Sequence, residues 1–144
     1  MGLISAMNKI DLETLVELRI RDAEVLLLGN CYAGAYYLAG YALECAIKAC
    51  VAMQVKENDF PDKQLANASH THRLTDLIGV AGLKQKLNQR AASDEMFYLH
   101  WTIVKDWSET ARYDRSVGRA KAEDMYHAMT NSESGVLPWL KTYW

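Results

Sequence analysis

A chain of 144 residues, half of them hydrophobic and 24% charged, has the size of one domain and enough apolar material for one core. Its formal net charge of −2 excludes the strongly basic balance that drives non-specific nucleic-acid binding, while leaving room for a local basic patch. The three cysteines, Cys31, Cys45 and Cys50, are an odd set without pairing-like spacing, which argues against a disulfide framework; no Cys/His cluster has metal-site spacing, so no metal is expected.

The N-terminal ten residues lack the basic flank and apolar run of a signal peptide, so a cytoplasmic location is expected. The spacing predicts a first helix over about 8–28, where Leu12, Leu15, Val16, Ala23, Leu26 and Leu27 recur at three and four residues. Gly29-Asn30 marks a break or tight turn. A second helix is expected over about 31–55. Residues 31–53 are almost wholly apolar, yet they contain Glu44 and Lys48. A charge at the centre of a membrane helix costs roughly 2.5–3.5 kcal/mol. The segment therefore reads as the buried central helix of a bundle and not as a membrane span. Its small residues, Ala33, Gly34, Ala35, Ala39, Gly40 and Ala42, let neighbouring helices approach closely, and Tyr32, Tyr36, Tyr37 and Tyr41 bring apolar bulk with polar tips.

Residues 56–70 are polar, contain Pro61 and read as a connecting loop. A short helix is expected over 71–80, with Leu74, Leu77 and Ile78 on one face and Gly79 and Gly82 bounding its end. Another is expected over 83–90, and Ser93 is the expected N-cap of the next. Phe97, His100, Trp101, Val104, Trp107 and Ala111 then form a stripe at helical spacing. Residues 112–118 read as a loop. A final helical region begins near Arg119, as one helix kinked at Pro138 or as two coaxial pieces. No segment alternates with period two, so no sheet is expected.

Three constellations carry candidate chemistry. Glu44 and Lys48 are four apart, in the order that favours pairing on one helix face. They are either an edge ion pair or a polar spot inside the bundle, and there they need partners. His70, His72 and Arg73 open a short helix. They suit an anion at its N-terminus, although the macrodipole disfavours cations there. The alternative is a surface loop with one His as a cap. Arg112 and Arg115 flank Tyr113 and Asp114 after an aromatic helix. Guanidinium forks suit phosphate and Tyr stacks on a base; alternatively, Arg112 pairs with a buried carboxylate such as Glu44. Trp101 and Trp107 read as core. There is no Gly-rich phosphate loop, nucleophile elbow or HExxH.

In order along the chain, AGAYYLAGYALECAIKACV, HTHRLTDLIGVAGL, TARYD and AEDMYHAM resemble segments of the HEPN family, named for higher eukaryotes and prokaryotes nucleotide-binding. They are similar to its Ala/Tyr-rich second helix with a Glu followed by a Lys, its His-x-Leu-x-x-Leu segment, its Arg-Tyr turn and its closing helix. The resemblance spans about 20–143 and implies an all-α protein, one HEPN-like domain over 1–144 folded as an antiparallel bundle of four to five helices. It implies binding of a nucleotide, an RNA or a protein partner such as a nucleotidyltransferase, without cofactor, through Glu44, Lys48, His72, Arg112, Tyr113 and Arg115. Nuclease members carry Arg, four to six residues, then His. Here Arg90 lies ten residues before His100 and Arg119 eight before His127, so the motif is absent. Arg119, Asp124 and Tyr126 match the spacing of a related toxin motif, with Asp in place of His. The leading expectation is therefore a non-catalytic binding domain. A metal-independent ribonuclease of a toxin–antitoxin or phage-defence system stands second, and a structural protein-interaction subunit third. A homodimer is expected, because the four tyrosines and the Trp139–Trp144 run exceed what a single small bundle is expected to cover.

Overall fold

A computed structural model describes residues 8–58 and 70–144, and among these every regular element is helical. Helix α1 spans Lys9–Leu28. Its entry is fixed by a capping box: the Asp11 N–H donates to Asn8 Oδ1 at 2.8 Å and the Asn8 N–H to Asp11 Oδ2 at 3.2 Å. Leu12, Val16 and Ala23 form its buried side. The expected break follows. Asn30 takes the left-handed conformation (φ 61°), which Asn tolerates better than most residues, and the Cys31 N–H returns to the Leu26 carbonyl at 2.8 Å.

Helix α2, Tyr32–Asn58, is the centre of the molecule. It continues helical through 56–58, where the sequence suggested a loop; residues 59–69 of that expected loop lie outside the described residues. Ala39, Ala42, Leu43, Ala46, Ile47 and Ala49 have no exposed surface. A helix apolar on all sides must be covered on all sides. Around α2 pack α1, α3 (Leu74–Val80), a 3-10 turn (Glu109–Tyr113), α6 (Arg119–Thr130) and α7 (Val136–Lys141). None of the described helices is long and apolar enough to cross a membrane.

The remaining elements follow the predicted order with corrected ends. Leu74, Leu77 and Ile78 are buried on α3 as expected, and Gly82 at φ +70° turns the chain after it. Helix α4, Lys84–Ser93, runs three residues past its expected end. Ser93 is thus its last residue and does not cap the next helix; its hydroxyl donates to the Arg90 carbonyl at 3.2 Å. The cap of α5, Glu95–Val104, is Asp94, which accepts from the Phe97 N–H at 3.1 Å. The stripe Phe97, His100, Trp101, Val104 and Trp107 is buried, but the helix stops at Val104 and Trp107 is carried inward by the turn that follows.

Helices α6 and α7 are separate, with the break at 131–135 and not at Pro138. Asn131 Oδ1 accepts from the Glu133 and Ser134 N–H groups at 3.1 and 2.8 Å, closing the turn. At Gly135 a side chain would collide with the Met129 and Asn131 carbonyls. Pro138 is the third residue of α7, inside the first turn, where its missing N–H has no helical partner to lose.

The residues that motivated a homodimer are largely covered within one chain. Tyr36 is buried, Tyr32, Tyr37 and Tyr41 pack partly buried against the core, Trp139 is buried, and Tyr143 and Trp144 are partly buried. Among the described residues the exposed large apolar side chains are instead Ile10, Leu18, Val25 and Leu28 on α1, Met96, Leu99 and Ile103, with Tyr98, on α5, and Tyr113 on the 3-10 turn.

Candidate functional site

The site grows from one line of residues on α2. Gly40, Glu44 and Lys48 follow each other at four-residue steps and so lie one above another. Gly40 is where the Trp107 indole rests on the helix; a methyl there would collide with the indole ring. Trp107 thereby seats the start of the 3-10 turn on α2. Ser108 caps that turn, accepting from the Thr110 N–H at 3.3 Å, and its hydroxyl shares a 2.6 Å hydrogen bond with that of Thr110. Glu109 is the first residue of the turn.

One turn along α2 from Gly40, Glu44 is only 2% exposed and Lys48 only 5%. This is the interior alternative for the pair, and the partners it requires are present. Lys48 Nζ donates to Glu44 Oε2 at 3.2 Å. His72, in the segment entering α3, places Nδ1 3.1 Å from both Glu44 carboxylate oxygens. Its other nitrogen, Nε2, lies 3.4 Å from Glu109 Oε2. An ammonium and an imidazole together satisfy a carboxylate that would be costly to bury alone. The imidazole spans two carboxylates of unlike setting, since the Glu44 side chain is 3% exposed and that of Glu109 43%. A neutral imidazole has one N–H, so only the imidazolium donates to both.

Beside His72 opens a cavity of about 390 Å³, lined on one side by Thr71, His72 and Arg73 and on the other by Ser108, Glu109 and Thr110. On α2, burial pushes the Tyr41 phenol up to about 12 and the Cys45 thiol up to about 11, with the Glu44 charge adding to both. Neither ionises near neutral pH, so neither is a nucleophile or base there.

Glu44, Lys48 and His72 are therefore brought together, while Arg112, Tyr113 and Arg115 are exposed and do not line the cavity. Arg112 is not the partner of Glu44, whose carboxylate is taken by Lys48 and His72. Its guanidinium carbon instead stands 4.8 Å from the ring centre of Tyr113, which is 71% exposed. His70 is exposed, and His72 turns inward and does not cap α3. Arg73 is exposed, 3.7 Å from Asp76. Sequence reasoning missed Glu109; a carboxylate directly after a Ser cap was its only local signal. Among the described residues no group of three or more His, Cys, Asp or Glu side chains is arranged to hold a metal ion. No family model, curated protein or solved structure matches the chain.

Proposed function

We propose that this chain is a HEPN-like domain that binds a nucleotide or RNA without cleaving it, along the edge formed by the 3-10 turn. The observation that carries this reading is the exposed stack of Arg112 on Tyr113 at one end of a turn whose other end walls the cavity. An exposed aromatic face stacks a base, and a guanidinium beside it takes the adjoining phosphate in a fork. Arg115, Arg119 and Lys121 continue the positive charge along the following segment, tempered by Asp114 and by Glu123, which pairs with Arg119 at 2.9 Å. The absence of an Arg-x(4–6)-His pair supports binding without catalysis. So does His72, whose two ring nitrogens both face carboxylates.

Anisotropy with a fluorescein-labelled single-stranded RNA, competed with ATP, tests the reading. Arg112→Ala and Tyr113→Ala should each weaken binding about tenfold or more, as expected for one charged hydrogen bond or one base stack of roughly 1.5–3 kcal/mol. Both should melt with the wild type, because both side chains are exposed. Unchanged affinity in the double variant would remove the assignment.

A homodimer belongs to the same proposal, now with a different surface. Met96, Leu99 and Ile103 fall three and four residues apart on the outer side of α5 and are 40–51% exposed. Light scattering should report a dimer for the wild type and a monomer for Met96→Glu with Ile103→Glu; a monomeric wild type contradicts this part.

A further inference from the structure

The two walls of the cavity come from segments far apart in the chain, 71–73 and 108–110, and the His72–Glu109 contact ties one to the other. We propose that His72 is a charge-dependent latch on this cavity: as an imidazolium it holds Glu44 and Glu109 together and ties the two walls to each other, and as a neutral imidazole it keeps Glu44 and releases Glu109.

The asymmetry between the carboxylates decides which contact is lost. Glu44 is buried and its oxygens are equidistant from Nδ1. A desolvated carboxylate that loses a donor is costly, so the one remaining proton stays on Nδ1. Nε2 then presents a lone pair to Glu109 Oε2 at 3.4 Å, and two acceptors facing each other repel. Glu109 is close to half exposed and turns to water at small cost. Lys48 continues to neutralise Glu44 in both states, at 3.2 Å.

The other charged groups around the latch do not take over its role. On its own segment, His70 is exposed and Arg73 leans toward Asp76. On the 3-10 turn, Arg112 stands over Tyr113. On α2, burial keeps Tyr41 and Cys45 neutral. The sign follows from the geometry: donation to both carboxylates needs both ring N–H groups, so the tied arrangement belongs to the imidazolium and the released one to the neutral ring.

The inference rests on the proposed binding site only in treating the cavity as a place for ligand, and it is tested without one. In a pH titration of the full chain followed by NMR, the amide signals of Glu109–Tyr113 should move with the ring signals of His72. Hydrogen exchange at the Ala111 and Asp114 amides, corrected for intrinsic rates, should accelerate severalfold over the same interval. In Glu109→Gln, a conservative change at a half-exposed side chain, His72 should still titrate while the turn no longer follows it. His72→Gln, if folded, should hold the turn in its high-pH form throughout. Signals of Glu109–Tyr113 that ignore the titration, or that follow it equally in Glu109→Gln, would overturn the latch. Failure to bind RNA would leave these outcomes unaffected, so the two proposals fail separately.

Discussion

The residue that most constrains this molecule is Glu44. A carboxylate 2% exposed inside an alanine-rich helix is tolerated because Lys48 and His72 both reach it. Removing it alone strands the Lys48 ammonium. Glu44→Leu should therefore cost about 3–5 kcal/mol, lowering the melting temperature by roughly ten degrees or more for a domain of this size. Glu44→Leu combined with Lys48→Met removes both charges, and much of the loss should return, since apolar replacement of a buried pair is often neutral or better. Thermal melts of the two variants decide it; a single variant that melts with the wild type would mean that the pair is hydrated and not buried. Glu44 and Lys48 stood out in the sequence as charges inside an apolar run; His72 stood out only within the His70, His72 and Arg73 group and by the family resemblance, and its pairing with Glu44 was not legible because the two lie 28 residues apart. Glu109 did not stand out, because a carboxylate in the polar stretch Ser108–Thr110 looks like any solvated residue until the fold folds it over His72. Arg112 was legible as a functional candidate, but its alternative role as the Glu44 partner failed since Lys48, one turn away on the same helix, already fills that place.

At the scale of elements, the sequence pattern located the α-helical segments but not the 3-10 turn at Glu109–Tyr113, which it divided between a helical stripe reaching Ala111 and a loop, and the helix ends were set by chemistry the pattern does not report. The start of α5 depends on which of two adjacent polar residues caps it. Asp94 does so because it also meets Arg90 at 3.1 Å and the Ser134 hydroxyl at 2.9 Å, linking α4, α5 and the 131–135 turn. The Phe97 N–H, followed by Ser134 and Arg90, holds the Asp94 carboxyl below the usual aspartate range. The cap's contribution is thus present above that range and lost as pH falls through the lowered value. The break between α6 and α7 falls at Gly135 and not at Pro138, because a backbone approach that excludes a side chain outweighs a proline already in a first turn. The close approach of the 3-10 turn to α2 has the same origin and gives a paired test. Gly40→Ala should force Trp107 off the helix and destabilise by about 1–3 kcal/mol. Gly34→Ala meets only the end of the Leu26 side chain at 3.2 Å, and the gain in helix propensity, up to about 1 kcal/mol, offsets that shift. Denaturant unfolding should separate the two; equal stability would mean that Trp107 does not depend on the bare backbone of Gly40.

At the scale of the whole molecule, the all-helical class of the described residues and the central position of α2 were readable directly, because a helix apolar on every side has few other places to go. The surfaces were not. The tyrosines of α2 and the C-terminal tryptophans suggested an excess of apolar material, yet one chain covers most of it, and the exposed stripe lies on α5. Whether a helical apolar residue ends up inside or outside depends on how many neighbours surround its element, and composition does not carry that count. The molecule thus presents two unlike faces: the edge of the 3-10 turn, with its stacked Arg–Tyr pair and cavity, and the apolar side of α5. Mapping amide shifts on addition of a short single-stranded RNA distinguishes them most directly. The binding account predicts that perturbations gather at His72, Glu109–Tyr113 and Arg115, and disappear in Arg112→Ala with Tyr113→Ala. Perturbations confined to Met96, Leu99 and Ile103, or no perturbation at all, would contradict it.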